Sequence, residues 1–356
     1  MTKPAPEIME VTLRDGSYVI DFQFTAADTA LIAGALERVG FRLIEIGHGI
    51  GLGASEAGMG QAAETDLAYM KAASETLKRA QWGMFCIPGI AQLKHIDMAA
   101  DHGMGFVRIG TNVEDAPKGR RFIEHARTRG LYVYANFMKS YASSTNAFSE
   151  NVRAAADYGA QTVYVVDSAG SMLTEDIRRY VEAAWSRTDI HLGFHGHNNL
   201  GMGVANSLMA AELGVAVVDT SLQGFGRGAG NTPTEQLICA LQRRGLETQM
   251  DAIEVMDVGE HYITPLIVGR GLSSIDVVSG LAQFHSSYMG VIREFASRYR
   301  IDPRRLILAV CAHDKVNAPR DLVEREARRL AAEGGRADEP LTPRFQFNRY
   351  HGTEQR

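Results

Sequence analysis

Eight short apolar or β-branched runs alternate with longer segments of helical period over the first two thirds of the chain, and this alternation narrows the available folds more than any other feature. Ile8–Leu13, Leu43–Gly47, Gly83–Ile87, Phe106–Gly110, Leu131–Phe137, Thr162–Asp167, His191–His195 and Ala216–Leu222 read as strands. Between them Ala26–Val39, Glu64–Arg79, Gly119–Arg129, Ser149–Tyr158, Thr174–Ser186 and Met202–Leu213 carry helical spacing. Gly40, Gly130, Gly159 and Gly214 each follow a helix where glycine commonly ends one. Eight strands and eight crossovers within roughly 245 residues predict an α/β fold, a (β/α)8 TIM barrel; an open doubly wound sheet uses fewer strands. The glycine-rich stretch from Gly224 to Gly230 follows the eighth strand and not the first. It therefore argues for close backbone approach to a ligand at the barrel mouth and against a dinucleotide fingerprint.

The 356 residues exceed one barrel by about a hundred. Residues 1–246 are assigned to the catalytic barrel. Residues 247–333 form a mostly helical C-terminal extension, clearest at Ser286–Arg298 and Pro319–Ala332, expected to act as lid and partner-docking surface. Residues 334–356 are polar and without period, which predicts a mobile tail. Thirty-seven Lys and Arg against 42 Asp and Glu leave a net charge of -5 and no basic footprint for nucleic acid. The N-terminus lacks a basic start with an apolar core, and no apolar run approaches 18 residues, so a cytoplasmic, non-membrane protein is expected. Cys86, Cys239 and Cys311 lie far apart in no metal-binding spacing and read as small buried apolar residues.

In such a barrel, function sits at the C-terminal ends of the strands. The first strand ends in Leu13-Arg14-Asp15-Gly16-Ser17-Tyr18 and the seventh in His195-Gly196-His197-Asn198-Asn199, while the eighth runs through the glycine loop into Asn231. Two histidines two residues apart on a strand point to one face; with Asp15 they make a facial two-histidine, one-carboxylate set for a divalent cation. Arg14 is always charged and suits an oxyanion formed beside that cation. Asp167 and Ser168 after the sixth strand, and Glu45 with His48 near the second, add polar groups to the same mouth.

Thr12-Leu13-Arg14-Asp15-Gly16, His195-Gly196-His197-Asn198-Asn199-Leu200, Val204-Ala205-Asn206-Ser207 and Gly228-Ala229-Gly230-Asn231-Thr232-Pro233 together resemble the metal-dependent TIM-barrel lyases and synthases with an Arg-Asp first-strand motif, the HMG-CoA lyase-like group. Ile44-Glu45-Ile46-Gly47-His48-Gly49, Pro88-Gly89-Ile90 and Asp167-Ser168-Ala169-Gly170 match as well, and the resemblance runs from about residue 8 to 330. Within the group the chain most resembles the 4-hydroxy-2-oxovalerate aldolases of aromatic hydrocarbon catabolism. The resemblance implies Asp15, His195 and His197 as ligands of Mn2+ or another divalent cation such as Mg2+ or Co2+. It implies Asn231 as a further ligand or an outer neighbour of the metal, Arg14 as stabiliser of a pyruvate enolate, and Ser168 and His48 as substrate contacts. The implied reaction is class II aldol cleavage of a 4-hydroxy-2-oxoacid to pyruvate and an aldehyde, or the reverse condensation. The alternative is an acyl-CoA-dependent synthase or lyase of the same group. An acylating aldehyde dehydrogenase partner and a homo-oligomer are also implied.

The pattern departs in one place. The aldolases carry a histidine base two residues after the glycine of the Arg-Asp-Gly motif, where this chain has Tyr18, and Phe284-His285-Ser286-Ser287-Tyr288 resembles an aldolase stretch with tyrosine at the position of His285. The two residue types look exchanged. Unperturbed tyrosine, with a pKa of about 10, is a weak base at neutral pH, so His285 with Tyr18 as partner is expected to supply the acid/base function.

Overall fold

Eight parallel strands close into a barrel in chain order: β1 (Glu7–Glu10), β2 (Leu43–Glu45), β3 (Gln81–Cys86), β4 (Phe106–Asn112), β5 (Tyr132–Met138), β6 (Thr162–Asp167), β7 (His191–Gly196) and β8 (Val217–Thr220). β1 closes against β8 in the register Glu7 to Val217 through Glu10 to Thr220. The computed structural model describes residues 5–246, 248–267 and 273–333; the predicted tail, 334–356, lies outside the described residues. Helices α1 (Ala26–Arg38), α2 (Asp66–Thr76), α3 (Leu93–Asp101), α4 (Arg120–Thr128), α5 (Thr145–Asp157), α6 (Thr174–Trp185), α7 (Gly203–Leu213) and α8 (Thr234–Arg243) form the outer ring. Their ends follow local chemistry. Thr25 accepts from the Asp28 N–H while Asp28 accepts from the Thr25 N–H, closing a capping box that starts α1. Ser144 caps α5, which therefore begins four residues before the predicted Ser149.

Strand alternation then sorts the side chains. Ile44, Val107, Ile109, Val133, Val163, Leu192, Phe194 and Val218 face the helices in the main apolar core. Met9, Leu43, Phe106, Tyr134, Tyr164 and Val217 form a separate cluster that plugs the barrel, where each large side chain contributes about 1.5–3 kcal/mol by leaving water. Two residues further along their strands, the same period turns Glu45, Arg108, Asn136 and Asp219 inward, all buried, with His195 two residues past Gly193 on β7. A polar layer is thereby stacked on an apolar plug.

After α8 the chain remains helical: α9 (Ala252–Tyr262), α10 (Ser274–Ala282), α11 (Met289–Tyr299), α12 (Pro303–Cys311) and α13 (Arg320–Ala332). Val255 and Val258 of α9 belong to the barrel's core, whereas Ile275, Phe284, Ile292, Phe295, Leu306, Val310 and Val323 build a second core. No helix among the described residues is long and apolar enough to cross a membrane. Cys86 and Cys311 are buried as expected, but Cys239 is only partly so, and all three are free thiols.

Candidate active site

β1 is shorter than its sequence suggests, and the reason places the site. The Glu10 carboxylate turns back to accept the Thr12 N–H (2.9 Å), the Thr12 hydroxyl (2.7 Å) and the Leu222 N–H (2.9 Å), and burial pushes its carboxyl up to about 7 against those hydrogen bonds. The N–H groups of Arg14 and Asp15 both donate to the Val11 carbonyl (3.1 and 2.8 Å), coiling the chain into a 3-10 turn over Asp15–Ile20. Arg14 and Asp15 thus stand on a turn over the mouth and not on the strand. β8 likewise stops at Thr220, and His197 lies one residue beyond β7, bridged to Asn231 of the glycine loop.

Asp15, His195 and His197 converge, with one donor atom from each lying within 4.8 Å of the others, and all three are buried. His195 Nδ1 donates to Asp219 Oδ2 (2.8 Å) and His197 Nδ1 to the Gly230 carbonyl (3.2 Å), so both rings turn Nε2 inward. These two Nε2 atoms are 3.3 Å apart, with Asp15 Oδ2 3.6 Å from that of His195. Burial and nearby Arg227 keep the His197 imidazole well below its usual range, hence neutral. Facing ring nitrogens require a positive centre between them. A shared proton would serve two donors, but Asp15 Oδ1 and both polar atoms of Asn231 are also buried without partners. That donor set fits a divalent cation. Burial opposes ionisation of Asp15, but the Arg14 guanidinium beside it holds its carboxyl well below the usual carboxylate range.

Gly230 is essential to this geometry. Its φ is +86°, and a Cβ there would meet the Gly224 carbonyl oxygen at 2.1 Å. The same residue accepts from His197 and from the Asn198 N–H (2.9 Å).

Beneath the cluster runs a charge network that sequence inspection missed. Arg108, fully buried, donates to Glu45 Oε2 (2.7 Å) and Asp219 Oδ2 (2.5 Å) and lies 4.6 Å from the Tyr164 ring. Glu45 also accepts from Arg14 Nε (2.8 Å), whose Nη1 donates to Asp15 (2.9 Å). The chain His195–Asp219–Arg108–Glu45–Arg14–Asp15 therefore connects one of the converging imidazoles to the converging carboxylate. Two guanidiniums against three carboxylates leave it one negative charge in excess, as a cation site requires. The one signal in the sequence was a charged residue inside each of three otherwise apolar strands.

A cavity of about 300 Å³ opens above, lined by Arg14, Asp15, Tyr18, Ser168, His195 and His285 with apolar Phe85, Ile87, Ile90 and Met138. Tyr18 and His285, far apart in sequence, thus share one chamber. His285 Nδ1 accepts the Ser287 N–H (3.2 Å) and lies 2.6 Å from its hydroxyl, so the neutral ring carries its proton on Nε2. Burial, with Arg227 and Lys139 nearby, pushes its pKa well below the usual histidine range. Ser168 lines the chamber and its hydroxyl oxygen accepts the Lys139 N–H (3.0 Å). Asp167 instead caps the following turn, accepting from Ser171 and Met172 (both 2.9 Å). His48 stands apart from the cavity, contrary to its expected substrate role: Nδ1 accepts the Ile50 N–H (3.1 Å), Nε2 donates to the Gly60 carbonyl (3.2 Å), and the ring stacks on Phe22 at 3.9 Å. Both nitrogens are thereby used in holding the β2 loop. Lys139 and Arg227, which the sequence did not single out, both line the chamber.

A family model described as HMGL-like matches residues 5–261. The chain is 34% identical over 325 residues to 4-hydroxy-2-oxovalerate aldolase of Bacillus thuringiensis, covering 91% of this chain and 95% of that one. It is 41% identical over 256 residues to an oxaloacetate decarboxylase of Mycobacterium tuberculosis, covering 72% and 76%. The Bacillus subtilis HMG-CoA lyase structure superposes with a TM-score of 0.65 at 18% identity, over 77% of this chain and 98% of that one, which shows the shared fold.

Proposed function

The chain belongs to the HMGL-like family, and from that premise we propose that it is a divalent-metal-dependent carbon–carbon lyase, which cleaves the C3–C4 bond of a 4-hydroxy-2-oxoacid to pyruvate and an aldehyde. The convergence of Asp15, His195, His197 and Asn231, whose side chain has no partner among the described residues, beside Arg14 at the cavity carries this reading. Mn2+ is the cation proposed for the Asp15, His195 and His197 set; when bound it supplies Lewis-acid polarisation of the 2-oxoacid oxygens.

The protein's own groups do the rest. Arg14 Nη2 makes no hydrogen bond within the described chain, and the side chain is fixed by Glu45, Asp15 and the Phe85 ring (4.8 Å). Its guanidinium is preorganised for the negative charge that gathers on the C2 oxygen as the C3–C4 electrons move toward it. The Ser168 hydroxyl, whose oxygen accepts the Lys139 N–H, is placed to donate its proton to a substrate oxygen within the chamber. Tyr18 and His285 border the C4 end, where the hydroxyl proton must leave for the aldehyde to form.

A second reading is favoured at that end. His285 at rest presents an N–H and not a lone pair, and Tyr18 replaces the histidine that aldolases use as base. Decarboxylation of a 2-oxo-dicarboxylate such as oxaloacetate breaks the same bond, expels CO2 and needs no hydroxyl deprotonation, and the relative with 41% identity carries that name. Exchange of pyruvate methyl hydrogens with deuterated solvent, dependent on Mn2+, tests the chemistry both readings share; its absence refutes both. Release of an aldehyde from 4-hydroxy-2-oxovalerate, against release of CO2 from oxaloacetate, then separates them.

A further inference from the structure

Lys139 and Arg227 are buried, 4% and 8% exposed, line the chamber, and have no carboxylate within 4 Å among the described residues. Every other buried cation of the site is paired: Arg14 with Asp15 and Glu45, Arg108 with Glu45 and Asp219. The Lys139 ammonium donates only to neutral oxygens, the Val316 carbonyl (2.6 Å) and the Tyr288 hydroxyl (3.4 Å). Arg227 donates to the Ser168 carbonyl (3.3 Å) and the Ser286 hydroxyl (3.0 Å). The two are close enough that Arg227, after burial, depresses the Lys139 ammonium to about 8. Lys139 also occupies left-handed backbone, φ 58°, uncommon for a side chain of its kind, at the end of β5.

Buried charges with no counter-charge in contact are costly, and two of like sign lining one chamber are more so, even with Asp314, Glu114 and Asp115 acting on Lys139 from beyond contact distance. Such an arrangement persists where an anion completes it. With the 2-oxoacid head held at the Asp15, His195, His197 and Arg14 end, Lys139 and Arg227 hydrogen-bond Tyr288 and Ser286 of the extension segment that carries His285, the end where C4 substituents must lie. We propose that Lys139 and Arg227 form a second anion subsite that binds a carboxylate on the C4 side of the substrate, so that the enzyme selects dicarboxylic over monocarboxylic 2-oxoacids. This rests on the lyase reading for the orientation of the substrate. It names the substrate class for either route: a 4-hydroxy-2-oxo-dicarboxylate yielding pyruvate and an aldehyde acid, or a 2-oxo-dicarboxylate losing CO2.

The Mn2+-loaded full chain tests it with two substrates that differ only by methyl against carboxylate, 4-hydroxy-2-oxovalerate and 4-hydroxy-2-oxoglutarate. Wild type is expected to favour the dicarboxylate in kcat/KM by at least about tenfold, as for a site built around a polar partner. Lys139→Met is expected to bring that ratio to within about threefold of unity, mostly by raising KM for the dicarboxylate. A wild-type ratio at or below one, or a Lys139→Met loss equal for both substrates, overturns the subsite and leaves Lys139 as a structural tie to Val316. If neither substrate is cleaved and pyruvate shows no exchange, the lyase reading has failed separately. Calorimetric titration with 2-oxoglutarate and 2-oxovalerate then decides the subsite alone: tenfold tighter dicarboxylate binding supports it, and equal affinity overturns it.

Discussion

Replacing Arg108 with methionine removes the centre of the buried charge network while nearly preserving volume. Glu45 would retain Arg14, but Asp219 would keep only His195, and Glu45 Oε1 and Asp219 Oδ1 are already without partners. Burial disfavours the Asp219 charge, and Arg108 is the leading group that holds its carboxyl below the ordinary range. The variant therefore strands a carboxylate in a fully buried layer, a loss of about 3–5 kcal/mol. Because the penalty comes from the orphaned charge and not from a lost favourable contact, the double variant Arg108→Met, Asp219→Asn should be more stable than Arg108→Met alone, by about 1–2 kcal/mol. Guanidinium unfolding of wild type, both single variants and the double variant measures this directly. If Arg108→Met is as stable as wild type, or if the two substitutions simply add, the network is not a set of mutually compensating charges and the argument is refuted.

Three further outcomes follow from the same geometry. Gly230→Ala puts a Cβ 2.1 Å from the Gly224 carbonyl oxygen at a φ of +86°; it should destabilise the protein by more than about 1 kcal/mol and weaken Mn2+ binding through His197, read by calorimetry. His197→Ala should abolish the rise in melting temperature that Mn2+ produces in wild type, since ligand binding to the folded state is what raises it. Glu10 has a folded pKa raised by burial to about 7, so stability owed to its neutral form is complete below the unfolded value near 4.5 and is lost as pH rises through 7. Urea unfolding at pH 5 and 8 should therefore show a decline of about 2.5 kcal/mol that Glu10→Gln lacks.

The barrel was legible in the sequence because its signals are local. Period-two apolar runs and capping residues act within a few positions, so all eight strands fall where the alternation puts them, although β1 and β8 end early for reasons that join Glu10 to Leu222. The convergence of the trio was legible too, since strand ends in a parallel barrel share one rim and His195, His197 and Asp15 are polar residues at those ends. His48 fits the same description, yet its nitrogens are taken by Ile50 and Gly60, hydrogen bonds that no spacing rule encodes.

What the sequence determined by itself is thus the architecture and the three polar residues that converge at its rim, because periodicity and residue type suffice for both. The tertiary structure alone decided which charges are paired. Arg108 finds partners 63 and 111 positions away, whereas Lys139 and Arg227 have no carboxylate within 4 Å among the described residues. Pairing of buried charges depends on distances of a few ångströms between segments that only barrel closure brings together.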